Sequence, residues 1–171
     1  MKKVLLLTLF CIAGLFTAQA QKFALIDMEY IMERIPSYSH ATSQLEQLSK
    51  QYQQAIENKA NEAKNLYQAY QKNAASLSAS QRSQREEAII AKEKEVSELK
   101  NKYFGQDGAM AKKQEELILP IQNKIYEAVK SISLQRGYDV VLDRASATSL
   151  IFASPRIDIS DDVLRLLGYS K

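Results

Sequence analysis

The chain of 171 residues has one cysteine, one histidine, no tryptophan, three prolines and five glycines. One Cys and one His cannot build a Cys/His zinc site within a single chain, because such a site needs four ligands. The sequence also lacks G-x-S-x-G, H-E-x-x-H, G-x-G-x-x-G and Walker A patterns, so the usual local signatures of hydrolases, zinc proteases, dinucleotide enzymes and nucleotide triphosphatases are missing. Charge of one sign is lacking too. With 23 Lys+Arg against 20 Asp+Glu, the net charge is +3. A nucleic-acid binder normally carries a large clustered basic excess to displace counterions. The expectation is a protein that is not an enzyme, with no catalytic residue, metal site, cofactor or nucleic-acid partner.

Long apolar runs are absent except at the start. Lys2 and Lys3 precede an apolar run of 13 residues from Val4 to Phe16, and Ala18-Gln19-Ala20 follows. A positive n-region, a short apolar core and an A-x-A site describe a secretory signal peptide over 1–20. The alternative is a retained membrane anchor, but the run falls short of the ~20 residues a spanning helix needs. Cys11, preceded by Phe10 within the run, makes a poor lipoprotein cleavage site. The mature chain is expected to begin at Gln21. It then has no cysteine and a net charge of 21 − 20 = +1, since Lys2 and Lys3 are lost. Such a chain makes no disulfide and places no demand on an oxidising compartment. Bacterial export follows.

The mature chain has two compositions. Residues 41–119 have no Pro, and Gly105 and Gly108 are their only glycines; 18 of these 79 residues are apolar other than Ala, about 23%. In the flanks, 21–40 and 120–171, the count is 29 of 72, about 40%. The middle cannot bury a sizeable core alone, whereas the flanks can if they meet in space.

The middle is rich in strong helix formers. Leu45, Leu48, Tyr52, Ile56, Ala60, Ala63, Tyr67, Tyr70, Ala74 and Leu77 recur in steps of three and four, a single narrow stripe close to a coiled-coil seam. Ser78 with Gln81 and Ser83 with Glu86 have capping-box spacing, so a new helix starts here and the chain turns back. The returning stripe is Ala88, Lys92, Val96, Leu99, Tyr103, Met110, Lys113 and Leu117, interrupted by polar residues. Gly105-Gln106-Asp107-Gly108 reads as a bend in this arm or, alternatively, a flexible hinge.

The flanks read as a small α+β head. Phe23 to Ile26 is a strand signal, followed by a short one-sided helix from Met28 to Ile35 that Pro36 stops; Ser37 or Ser39 then caps the arm. Ile121, Ile125, Ala128 and Ile132 form a denser helical stripe, in which Pro120 kinks the helix or starts a new segment. Gly137 suits a helix C-terminus. Tyr138 to Asp143 and Ser149 to Ala153 read as two more strands around a turn at 145–148, and Ser160 caps a last helix that Gly168 ends. Three short strands make a poor independent sheet with exposed edges. Oligomerisation through those strands solves both problems.

Phe23 to Met28, Ile121 to Ile125, Gly137 to Asp143 and Asp158 to Leu164 together resemble the Skp/OmpH family of periplasmic chaperones for outer membrane proteins. The resemblance covers essentially the whole mature chain. It implies a homotrimer in which 21–40 and 120–171 form a β-barrel body between subunits and 41–119 forms a long antiparallel helical hairpin arm. Phe23, Leu25, Val140, Leu142 and Ile151 are the candidate head-core and trimerisation residues. The implied activity is ATP-independent holding of unfolded outer membrane β-barrel proteins in a cavity between the arms. Tyr52, Tyr67, Tyr70, Tyr103, Phe104 and Met110 are the candidate client contacts, with seam packing the alternative for the tyrosines. A lipopolysaccharide contact is a further family expectation, which an arm with 12 basic and 11 acidic residues does little to support. The competing reading is a structural coiled-coil spacer of the envelope with no client.

His40 reads as an exposed polar residue, and Asp158, Asp161 and Asp162 as helix capping rather than calcium ligands, since they lack the spacing of an EF-hand loop. Asp27, Asp139 and Asp143 read as strand-end turn residues rather than an acid/base pair.

Overall fold

The computed structural model describes residues 21–147 and 149–169. The signal-peptide segment and Thr148 of the expected turn lie outside the described residues. The chain is mostly helical, with one small sheet. In order it forms β1 (Phe23–Ile26), α1 (Met28–Glu33), α2 (Pro36–Asn73), a 3-10 turn (Ala74–Ser76), α3 (Ala79–Phe104), α4 (Ala109–Arg136), β2 (Val140–Asp143), a second 3-10 turn (Pro155–Ile157) and α5 (Ser160–Leu166). It divides into two compact units, one within residues 1–29 and 127–170 and the other over 30–126.

In the first unit β1 and β2 pair in parallel, with Phe23 opposite Val140 and Ile26 opposite Asp143. Parallel neighbours need a crossover connection, here the helices between them. Backbone bonds close both ends of this ladder: Asp139 N–H donates to Lys22 O at 2.9 Å and Arg144 N–H to Ile26 O at 2.7 Å. On the other side of β1, Leu25 forms a single parallel bridge with Asp158, and Ile159 N–H donates to Leu25 O at 2.8 Å. Ala24, Leu25 and Ile26 are buried, as are Ala128, Ile132, Ile159, Val163 and Leu164. These residues are this unit's core.

The expected strand over 149–153 is not formed. Its residues are irregular, with Ile151 fully exposed and Phe152 82% exposed. Asp158 and Ile159 occupy the second side of β1, and the sheet consists of β1 and β2 alone among the described residues. Ser160 is not the cap of α5 either; Ile159 holds that position and makes no side-chain cap bond. Ser160 is buried instead, and its Oγ accepts from Asp27 N–H at 2.8 Å.

The aspartates at the strand ends satisfy backbone donors. Asp139 accepts from Lys22 N–H at 2.8 Å, Asp143 from Met28 N–H at 3.0 Å, and Asp158 from Ser160 N–H at 2.9 Å. Arg144 pairs with Asp27 at 2.7 Å, and Asp162 takes both Arg136 and Arg165. Gly137 (φ 68°) and Gly168 (φ 85°) end α4 and α5 in the left-handed conformation. Tyr138 N–H reaches Ser133 O and Tyr169 N–H reaches Leu164 O, the long bonds of two Schellman caps.

In the second unit α2 starts at Pro36, whose missing N–H costs nothing at N1; the N-cap is Ile35, so neither Ser37 nor Ser39 serves. Ser78 caps α3 with the reciprocal Gln81 bonds of a capping box, while Ser83 lies inside the helix. Pro120 sits within a continuous α4. The four residues from Gly105 to Gly108 separate α3 from α4. A Cβ on Gly105 would lie 2.4 Å from Asn101 O, and one on Gly108 would lie 2.9 Å from backbone atoms of Gly105 and Tyr103. Glycine is required at both positions by close backbone approach.

The head ion pairs give a pH prediction. Its hydrogen bond from Arg136 holds the Asp162 carboxyl below the usual 3.8. A depressed carboxylate contributes stability above its unfolded pKa and loses it as pH falls through the folded value. Asp162→Asn should therefore lower urea-unfolding stability near neutral pH and flatten its decline below about pH 4. Parallel curves for the two proteins between pH 7 and pH 2 would refute the assignment.

Candidate functional site

α2 and α3 form an antiparallel hairpin. Tyr52 meets Tyr103, Lys59 meets Glu95, Glu62 meets Lys92 and Tyr70 meets Glu86, so the numbers rise on one helix as they fall on the other. Helix propensity sets the arms, and the first stripe expected from the sequence is at least partly buried with one exception. Tyr67 is about half exposed, and Leu66 is the residue turned inward. On α3 the inward residue is Ile89, not Ala88. Both slips are of one residue, because a stripe with steps of three and four leaves two adjacent apolar positions nearly equivalent.

The seam between these arms is thin. Of the paired stretches, Ala63 on α2 and Ile89 on α3 are buried, while the other seam positions are partly exposed. Side chains other than aliphatic ones do much of the joining. Tyr52 and Tyr103 stack with centroids 3.9 Å apart and planes 4° from parallel, and Phe104 meets Tyr52 edge-on at 6.3 Å. Tyr70 donates its hydroxyl to Glu86, and that bond raises the phenol above its ordinary 10.0. Between the two, Lys59, Glu62, Lys92 and Glu95 form a ring of alternating charge.

The candidate contacts therefore divide. Tyr52, Tyr70 and Tyr103 are engaged across the seam. Tyr67 and Phe104 present close to half of their surface, and Met110 is partly exposed. Tyr67 also walls a shallow groove of about 290 Å³ with Ala60, Ala63, Lys64, Glu93 and Val96. Ile90, Leu119 and Tyr126 are exposed apolar residues not anticipated from the sequence. The signal for Ile90 was the Ile89-Ile90 pair, since a narrow seam admits one of two neighbours.

Of the head candidates, Leu25 is buried, whereas Phe23, Val140, Leu142 and Ile151 are exposed in the single chain. They therefore do not belong to the core of the single chain. Val140 and Leu142 share one face of β2, whose residues alternate exposed and partly buried. His40 is exposed. No group of three His, Cys, Asp or Glu among the described residues is placed to hold a metal ion. No helix among them is long and apolar enough to cross a membrane.

Residues 22–167 match the sequence model of a family described as outer membrane protein (OmpH-like). The chain belongs to that OmpH-like family. Over 154 residues it is 29% identical to Chaperone protein Skp of Yersinia enterocolitica, covering 90% of each chain. To Chaperone protein Skp of Pectobacterium atrosepticum it is 29% identical over 146 residues, 85% of each. Its fold resembles the crystal structure of an OmpH-like protein from Caulobacter crescentus CB15, with a TM-score of 0.64 at 12% identity over 88% of this chain and 86% of that one. At that identity the likeness concerns the fold alone. The OmpH-like family and its Skp members support a chaperone role for this chain.

The stacked pair generates a prediction for the seam. Tyr52→Ala and Tyr103→Ala should each destabilise the chain. A double-mutant cycle read by urea unfolding should give a coupling of about 0.5–1.5 kcal/mol, the range for aromatic pairs. Strict additivity would remove the stack as a stabilising contact.

Proposed function

We propose that this protein is an ATP-independent periplasmic holdase. As a homotrimer, it binds unfolded outer membrane β-barrel proteins between its helical arms and keeps them from aggregating before membrane insertion. Residues 1–20 act as a cleaved export signal, 41–119 as the arm, and 21–40 with 120–171 as the body. Membership of the OmpH-like family, with relatives named as Skp chaperones, supports the class of activity.

The observation that carries the reading is how the hairpin uses its apolar residues. An arm with little buried seam leaves Ile90, Tyr67 and Phe104 exposed among charges. An unfolded barrel strand presents alternating apolar residues that aggregate in water. Many weak apolar contacts on a soluble surface suit such a client better than one specific pocket, because a loose surface can repack around different sequences. A spacer reading fits less well, since a rigid coiled coil sustains aliphatic residues at both seam positions, and here many of those places are taken by Lys92, alanines and tyrosines.

Trimerisation is supported by the head. Phe23, Val140 and Leu142 are exposed beside a sheet of two four-residue strands, and Ile151 and Phe152 lie in an unpaired segment. Pairing these edges with other copies would bury them and lengthen the sheet. The near-neutral arm gives lipopolysaccharide no strong electrostatic site.

The test uses the chain from Gln21 to Lys171. A urea-unfolded outer membrane barrel is diluted into it, and size exclusion is read with light scattering. The expected result is a soluble peak with the mass of three chains and one client; loss of all client as aggregate beside an intact trimer would support the spacer instead. Val140→Asp places a charge in the proposed body and should abolish the trimer peak. A stable trimer in that variant would remove β2 from the interface.

A further inference from the structure

The ring of four charges at mid-arm has a geometry that its two helices do not each require. Lys59 contacts Glu62 at 3.0 Å and Lys92 contacts Glu95 at 2.7 Å, both three residues apart on one helix. Each lysine also reaches the glutamate of the other helix, Lys59 to Glu95 at 3.7 Å and Lys92 to Glu62 at 3.5 Å. Signs alternate around the ring, so every neighbour attracts. The hydrogen bond from Lys59 lowers the Glu62 carboxyl and that from Lys92 lowers Glu95, while Glu95 raises the Lys92 ammonium; both carboxylates and the Lys92 ammonium thus gain from the arrangement.

On the α2 side of the ring the apolar side chains are small. From Lys59 to Ala63 the partly buried or buried residues of α2 are two alanines and a lysine. The exposed ion pairs of most proteins contribute little, but a network does more than an isolated pair. Lys92 occupies a stripe position and Lys59 is next to one, Ala60, and their side chains are 29% and 37% exposed respectively. The cross-helix distances are the longer ones, so they rest on Coulomb attraction more than on hydrogen bonding, and mobile ions weaken that attraction first.

We propose that Lys59, Glu62, Lys92 and Glu95 form an electrostatic clasp that holds α2 and α3 together at mid-arm, so that raising ionic strength lets the hairpin open there and widens the groove beside Tyr67. The groove is lined by Ala60, Ala63 and Val96, which belong to the same stretch of seam. Tyr52 with Tyr103 on one side and Tyr70 with Glu86 on the other continue to join the helices, so the opening is local. The proposal concerns the hairpin alone and stands whether or not the arms hold clients.

The chain from Gln21 contains no cysteine, so spin labels at Asn61→Cys and Ala91→Cys, both exposed positions, report the separation of the two helices without background. Labelled chain is mixed into excess unlabelled chain so that distances within one hairpin are read. The Debye length falls from about 30 Å at about 0.01 M salt to about 3 Å at about 1 M. The clasp predicts a short, narrow distance distribution at low salt, and a broader one shifted outward by about 5 Å, a helix radius with its side chains, at high salt. Glu62→Lys with Glu95→Lys puts four lysines in the ring, which should reverse the salt response: open at low salt and closer at high salt. Adding Lys59→Glu and Lys92→Glu restores alternation with the signs exchanged and should return the original behaviour. Circular dichroism confirms that each variant is helical. A salt-independent distance in the original chain, or an unchanged low-salt distance in the four-lysine variant, would overturn the proposal.

Discussion

Four rungs of parallel ladder, Phe23 with Val140 through Ile26 with Asp143, are the constraint on which the rest of this chain depends. Two short segments far apart in sequence meet there, and everything between them is the connection. A long closed connection costs entropy, but that cost grows only with the logarithm of its length. The helical arm can therefore be long without undoing the pairing. The ladder is held at both ends by backbone bonds, and Ala24, Leu25 and Ile26 of β1 are buried. A second partner, Ile159, secures the far side of β1.

The same unit shows what its aspartates hold together. Asp139, Asp143 and Asp158 accept from backbone N–H groups that the short strands and turns leave without ladder partners. Asp27 and Asp162 are paired with arginines. Small sheets have a high ratio of ends to middle, and side chains must satisfy those ends.

The arm is built on the opposite balance. Its helices form readily from composition, yet they have few large apolar residues to lock against each other, and stacking, a phenol–carboxylate bond and the ring of charges supply the rest. Contacts of this kind hold a hairpin while leaving it close to opening. They also leave aromatic and aliphatic side chains at the surface, where a core-driven helical pair would have buried them.

The helices were legible in the sequence because their causes are local: propensity along 41–119, the capping box at Ser78 and Gln81, and glycines at 137 and 168 that alone tolerate the left-handed turn. Gly105 and Gly108 could be read as a break, though the backbone crowding that requires them could not. What the tertiary structure decided was which of two neighbours faces inward, Leu66 rather than Tyr67 and Ile89 rather than Ala88, since the helical period leaves that to the partner helix. It also decided that 149–153 is no strand in the single chain: β-propensity is a preference for a surface to pack on, and Ile151 and Phe152 are exposed without one. The same holds for the charge ring. Lys92 stood in the sequence as a polar interruption of the seam, and it and Lys59 became partners of opposite-helix glutamates once the arm turned back antiparallel.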